Sequence, residues 1–300
     1  MKKIISIVLA IVLILSLTGC GGSASASTPA TGSSSSETRP ANASDVTSSK
    51  ASETTISETV IFDERGIKVT AKELNMKGTF GPELKLLIEN DSGLDLTFQC
   101  RGASVNGYMV ETMMSVDVAN GKKANDSLTF SNSDIKLCGI DTIANLCFSL
   151  HIFDSNTWDT FIDTAEIELR TSNYEGYVFT YDDAGQVAYE GNGVKIVVKR
   201  VSSDSSWFGP SIIVFIQNNA DRMITVQARN VSVNGFMVEP IFSSDVAAGK
   251  VAIDDLTLMN SDIEANGIES IDEVELSFHV FYEDTWDDIV DTPSMVFSFG

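Results

Sequence analysis

Residues 104–111 read Ser-Val-Asn-Gly-Tyr-Met-Val-Glu, and residues 232–239 read Ser-Val-Asn-Gly-Phe-Met-Val-Glu. In each, Asn-Gly stands between apolar residues, the strongest short-range signal of a β-hairpin. Its type I′ turn needs positive φ at both central positions, which Asn and Gly tolerate. The match extends outward from this motif. Residues 80–164 align with 208–292 without a gap, and about 40 of the 85 positions are identical. Phe-Gly-Pro at 80–82 recurs at 208–210, Asn-Ser-Asp-Ile at 132–135 recurs at 260–263, and Thr-Trp-Asp at 157–159 recurs at 285–287. Upstream, 66–74 matches 193–201 once one inserted residue is allowed. A period this long marks a tandem pair of domains and not a solenoid, whose repeats span about 20–50 residues.

Within each copy the pattern is that of strands. Ile67, Val69 and Ala71 alternate with Lys68, Thr70 and Lys72, the period of two that places alternate side chains on opposite sheet faces. The runs 83–90 and 211–218 are short, apolar and closed by Asn90 and Asn218, a residue suited to turns. Further strands are expected over 94–105, 108–118, 127–130, 145–153 and 165–171, with single helical turns near 134–137 and 158–162. About seven strands in just over a hundred residues imply an all-β fold: two tandem immunoglobulin-like antiparallel β-sandwich domains, at 58–174 and 180–300.

The N-terminus carries a different signal. Lys2 and Lys3 precede an apolar run from Ile4 to Leu15, and small residues follow; this is the layout of an export signal. The run is short for a transmembrane helix, which needs about 20 apolar residues. Leu17-Thr18-Gly19-Cys20 resembles a bacterial lipobox. That resemblance implies cleavage of a signal peptide at 1–20 and a diacylglycerol on the Cys20 sulfur, hence a lipid anchor on the extracellular face of the cell membrane. Residues 21–57 are rich in Ser, Thr, Ala and Gly and poor in large apolar side chains. Such a segment buries too little surface to offset its chain entropy, so it reads as a disordered linker with a span on the order of 35 Å. The segment 115–124, with Asp117-Val118-Ala119 and Gly121-Lys122, and the late run 148–153 resemble uncharacterised extracellular sandwich domains of Gram-positive lipoproteins, some called telokin-like. That likeness implies the fold and the surface location and no activity.

Charge narrows the partners. Residues 57–179 hold 19 acidic and 10 basic side chains, and 180–300 hold 20 and 6, within a net charge of −22. A field of that sign repels phosphate backbones, so nucleic acid is excluded as a partner. Attachment to the membrane is expected through Cys20 and not through the folded copies, and the expected ligands are cell-wall polysaccharide or a surface protein.

No constellation for catalysis stands out, and no cofactor is implied. His151 and His279 occupy equivalent positions, one per copy, opposite the apolar face of their strand. No Gly-x-Ser-x-Gly elbow accompanies them. Cys100, Cys138 and Cys147 have Ala228, Asn266 and Glu275 as counterparts. An exported protein can keep disulfides, which makes Cys138–Cys147 a candidate bridge confined to the first copy. The functional candidates are the acidic loops around the tryptophans: Trp158, Asp159 and Asp163, with Trp286, Asp287 and Asp291 in the second copy. Exposed tryptophans there would serve as platforms for a sugar ring or a partner. The alternative is Ca2+ or a small ligand, since Ca2+ seeks six to eight oxygens, although the loops lack the Gly and closing Glu of an EF-hand. The leading expectation is therefore a non-catalytic binding, adhesion or spacer protein.

Overall fold

The computed structural model describes residues 54–202 and 208–299. The expected signal peptide, Cys20 and the expected linker as far as residue 53 lie outside the described residues, as does Trp207. The linker expected to reach 57 meets the fold earlier: Thr55 N donates to Ser172 Oγ (3.1 Å), Ser172 N donates to Thr55 O (2.8 Å), and Ile56 packs on the first core.

The chain is all-β. The first copy contains β1 (Thr59–Glu64), β2 (Ile67–Asn75), β3 (Glu83–Asn90), β4 (Leu96–Val105), β5 (Tyr108–Met109) and β6 (Thr112–Met113). It continues through β7 (Ser115–Val118), β8 (Lys122–Phe130), helix α1 (Asn132–Leu137), β9 (Asn145–Asp154), β10 (Thr160–Asp163) and β11 (Ile167–Arg170). The second copy repeats the series: β12 (Gln186–Gly191), β13 (Val194–Val201), β14 (Ser211–Asn218), β15 (Ile224–Val233), β16 (Phe236–Met237) and β17 (Pro240–Ile241). It closes with β18 (Ser243–Val246), β19 (Val251–Leu258), helix α2 (Asn260–Ala265), β20 (Glu273–Tyr282), β21 (Asp288–Asp291) and β22 (Met295–Ser298). Eleven strands per copy exceed the seven expected. The return from the hairpin, read as one strand over 108–118, breaks into three short pieces that pair with different sheets. The helical turn expected near 158–162 is strand β10, whereas the one near 134–137 is α1.

Each copy builds two sheets. In the first, β1-β2-β3-β8-β6 form one, and β4, β5, β7, β9, β10 and β11 form the other. Separate cores fill the two copies, one around Phe98, Phe130 and Phe148, the other around Val214, Ile216 and Phe278. Two buried asparagines close the layers. Asn90 Nδ2 donates to Leu94 O (2.8 Å) and Val118 O (2.7 Å) while its Oδ1 accepts from Ser92 N. Asn218 does the same with Arg222 O, Val246 O and Ala220 N. A buried amide with its donors and acceptor filled costs little, and an unfilled one costs about 1–3 kcal/mol.

The copies are joined edge to edge. Strand β5 of the first lies parallel to β19 of the second, Tyr108 opposite Val251, with Val251 N donating to Gly107 O (3.0 Å), so that an eleven-stranded sheet runs through both. All other strand pairs are antiparallel among the described residues. Tyr108, Cys138, Val197, Phe215 and Val251 form a third buried cluster at this joint, with Tyr181 edge-on to Tyr108 at 5.1 Å. Burying a large apolar side chain is worth about 1.5–3 kcal/mol, against about 1 kcal/mol net for one backbone hydrogen bond. The cluster therefore outweighs the ladder bond. The sequence records the burial: β3 alternates between buried and half-buried residues, but β14 is buried on both faces along most of its length. A strand covered on both sides reads as a continuous apolar run.

Asn106 and Gly107 adopt φ of 52° and 83°, and Asn234 and Gly235 adopt 51° and 84°, as the type I′ reading requires. Asn106 also staples the joint, its Nδ2 donating to Thr142 O (2.7 Å) and to Tyr177 Oη (2.9 Å). A Cβ at Gly107 would stand 2.3 Å from Tyr181 Oη, whereas at Gly235 it meets nothing within 4 Å. Gly235→Ala should thus lower stability by about 1–2 kcal/mol, the strain of a left-handed residue. Gly107→Ala should cost more, because the Tyr181 hydroxyl must also shift to make room. Denaturant melts of the two variants give the comparison, and equal losses would refute the steric account of the joint.

Candidate functional site

In each copy the long strand β9 or β20, paired on both sides, runs into a four-residue loop that carries the tryptophan. Asp154 N donates to Asp159 O (3.0 Å) and Trp158 N to Asp154 O (2.9 Å); Tyr282 with Asp287, and Trp286 with Tyr282, repeat both bonds. In the first copy Asp154 Oδ1 also accepts from Asn156 N (2.7 Å) and Thr157 N (3.1 Å), which fixes the turn. The loop closes with the tryptophan in the left-handed region, φ 66° at Trp158 and 62° at Trp286. That conformation turns the indole back over the strand it has left. Trp158 stacks on Phe153 at 5.5 Å and 19°, and Trp286 on Phe281 at 5.2 Å and 13°. Both phenylalanines are buried, yet Trp158 and Trp286 remain 75% and 73% exposed. One indole face is held and the remainder meets solvent.

The stack continues to the histidines. His151 lies 5.2 Å from Phe153 and His279 5.1 Å from Phe281. His151 Nδ1 contacts Asp163 Oδ1 at 2.5 Å, and His279 Nδ1 contacts Asp291 Oδ1 at 2.7 Å. Asp163 and Asp291 are the direct cross-strand neighbours of these histidines. The sequence reading placed Asp163 and Asp291 in an acidic loop with Asp159 and Asp287. They belong instead to the histidines, on the strands beside the loop. Among the described residues no group of three or more His, Cys, Asp or Glu side chains is placed to hold a metal ion. In the second copy Asp288 joins Asp291 at the imidazole, its Oδ1 3.7 Å from His279 Nε2.

The proposed disulfide is corrected. Cys100, Cys138 and Cys147 are free thiols. Cys138 faces the joint and hydrogen-bonds the backbone of Ile253, while Cys147 lies beside Lys250 and Asn145 Nδ2. Burial pushes the Cys138 thiol up to about 12 and that of Cys100 up to about 11. Held protonated, neither is a nucleophile at neutral pH.

A second feature was not legible in the sequence: a cleft of about 650 Å³ between the copies, lined by Arg101, Glu111 and Asp134 of the first and Asp245, Asp254 and Asp255 of the second. Burial raises the Asp254 carboxyl above its ordinary range, and Asp255 and Asp134 add repulsion while Asp255 N and Ser244 oppose the rise. Glu111 is raised by partial burial and then by Asp134, Asp254 and Asp245. Outside the cleft, Lys250 bridges the copies through Glu166 at 3.1 Å.

A scan against protein-family models finds no match, and neither does a search of curated proteins. Among solved structures the chain overlaps a crystal structure of the YadV chaperone, with 10% identity over 71% of this chain and 91% of that one, at a TM-score of 0.23. An overlap that loose defines neither a shared topology nor a shared role.

The cleft sets a pH dependence. Glu111 and Asp254 have folded values above their ordinary 4.5 and 3.8. The penalty of keeping them ionised is therefore full above their folded values, and it disappears below those ordinary ones. Glu83, Glu89 and Asp182 are held low by Lys85, Lys123, and the Ala184 backbone with Lys199, so their contribution is lost only in stronger acid. Mild acidification from neutral to about pH 5 should raise the melting temperature. Asp254→Asn should melt higher than the parent at neutral pH and gain less on acidification. A parent that loses stability steadily over this range, with the same slope in the variant, would contradict the assignment.

Proposed function

We propose that the chain is a non-catalytic binding protein held on the extracellular face of a bacterial cell membrane. In this reading Cys20 carries the lipid, residues 21–53 form the tether, and the two copies, at 58–174 and 180–300, are sandwich domains of the Gram-positive lipoprotein type. The loops bind rings of a cell-wall polysaccharide. The observation that carries the reading is the exposed indole stacked on a buried phenylalanine, built twice from the same loop. A rigid aromatic face with a polar surround suits the apolar face of a sugar ring, and an aromatic anchor brings large contact area at small entropic cost. Two such faces on one chain raise avidity for a repetitive polymer.

Sedimentation of the full chain with insoluble cell-wall polysaccharide tests the reading. Trp158→Ala and Trp286→Ala should each weaken retention, by about tenfold if each contact is worth about 1.4 kcal/mol, and the double variant should be lost from the pellet. Retention of the double variant at the parent level would exclude the platforms. The anchor is tested separately: Cys20→Ser should move the protein from the membrane fraction to the soluble one, and a variant that stays with the membrane would refute lipidation at Cys20.

A further inference from the structure

The two copies expose equivalent surfaces unequally. In the first, the hairpin tip is covered: Tyr108 is 7% exposed, and β19 of the second copy lies along it through the bond from Val251 N to Gly107 O. Phe236 and Met237 hold the same places in the second copy and are 48% and 66% exposed. Their strand, β16, ends its sheet with no strand on its outer side among the described residues.

The receiving surface differs in the opposite sense. In the second copy it consists of Val197, Phe215, Val251 and Ile253, all drawn into the third cluster. The matching positions in the first copy are Thr70, Leu87, Lys123 and Asn125. Lys123 is exposed and paired with Glu89. A charged lysine on an open strand edge discourages further pairing, so the first copy is built not to receive a tip. The second copy is nevertheless built to offer one.

We propose that Phe236 and Met237 form a docking surface for a separate protein, one that presents an apolar outer β-sheet face with an open edge strand and seats as β19 seats on Tyr108. The joint inside the chain is the template, and the new contact would continue the same row of sheets. The charge around the tip defines the partner further. Glu239 and Asp262 stand where Glu111 and Asp134 stand in the first copy, the Glu239 N–H donating to Asp262 Oδ2 (2.9 Å), and Asp272 and Glu273 flank the Asn234 turn. Basic side chains beside the partner's apolar strand complement them. A second copy of this chain is disfavoured because its only open equivalent face bears Lys123 and Asn125.

The full chain itself supplies the probe. Lys123→Val with Asn125→Ile gives the first copy a receiving edge like that of the second. Sedimentation equilibrium should show the parent as a monomer, and the double variant should at least double in average mass with rising concentration. Adding Phe236→Asp should return the double variant to monomer. Lys123→Val alone, a smaller change at an exposed position, serves as a second receiver should the double variant melt abnormally. Receivers that fold but stay monomeric would show that the tip does not dock. Association that survives Phe236→Asp would place the contact elsewhere, and a parent that associates through Phe236 would make the occupant a second copy; each of these outcomes overturns the proposal.

Discussion

The seating of the Asn106-Gly107 hairpin on strand β19 is the constraint from which the rest of the structure follows. One parallel ladder bond, Val251 N to Gly107 O at 3.0 Å, sets the register, and the cluster of Tyr108, Cys138, Val197, Phe215 and Val251 supplies the energy. The turn must be Asn-Gly for its own geometry, and here the same glycine leaves room for Tyr181. Two requirements thus fall on one residue. The connecting segment is part of the contact: Tyr177 takes the Asn106 amide, and Lys199 donates to the carbonyls of Asp182 and Ala184. A linker fixed at both ends turns two sandwiches into one compact unit.

That contact explains why copies with the same fold have drifted apart in composition where they have. Buried positions inside each sandwich stay apolar, and the outer face of the first sheet changes with its neighbour. Leu87 stands in the strand of Lys85, which is paired with Glu83, and Lys123 is itself paired with Glu89, whereas Phe215 and Val251 are covered. The three cysteines follow a similar logic. Cys138 and Cys147 sit near the joint, in packing positions that a small, weakly polar side chain fills, and the second copy has Asn266 and Glu275 at the matching positions.

Much of this was legible in the sequence. Period-two alternation in 67–72, the Asn-Gly turns and the gapless repeat led to an all-β fold, and both turns have the expected φ signs. The number of strands was not legible, because the two-residue strands β5, β6, β16 and β17 are too short to show a period and are defined only by what they pair with. The joint left a trace, the unbroken apolar run of 211–218 against the alternating 83–90, but a trace of burial does not say what does the burying. At the site, the tryptophans and Asp163 and Asp291 were named, but the pairing of those carboxylates with His151 and His279 was not. Residues twelve apart across a tight hairpin can be cross-strand neighbours, and that arithmetic would have paired His151 with Asp163.

The tryptophans pose the last energetic question. The loop needs one residue at positive φ, a place that glycine or asparagine fills with little strain. Tryptophan there costs about 1–2 kcal/mol. Stacking on Phe153 or Phe281 returns about 0.5–1.5 kcal/mol, and an indole some three-quarters exposed adds little by burial. The balance is close to zero, so the stability of the hairpin does not account for a tryptophan at either position. The same near-zero balance is struck in both copies, on the same phenylalanine and beside the same histidine–aspartate pair. What the arrangement does secure is orientation. The ring is held by one face with few rotamers left to lose, so a ligand that stacks on the other face meets a surface already ordered. Preorganisation of that kind supports reading these loops as binding platforms and not as turns that happen to contain an aromatic residue.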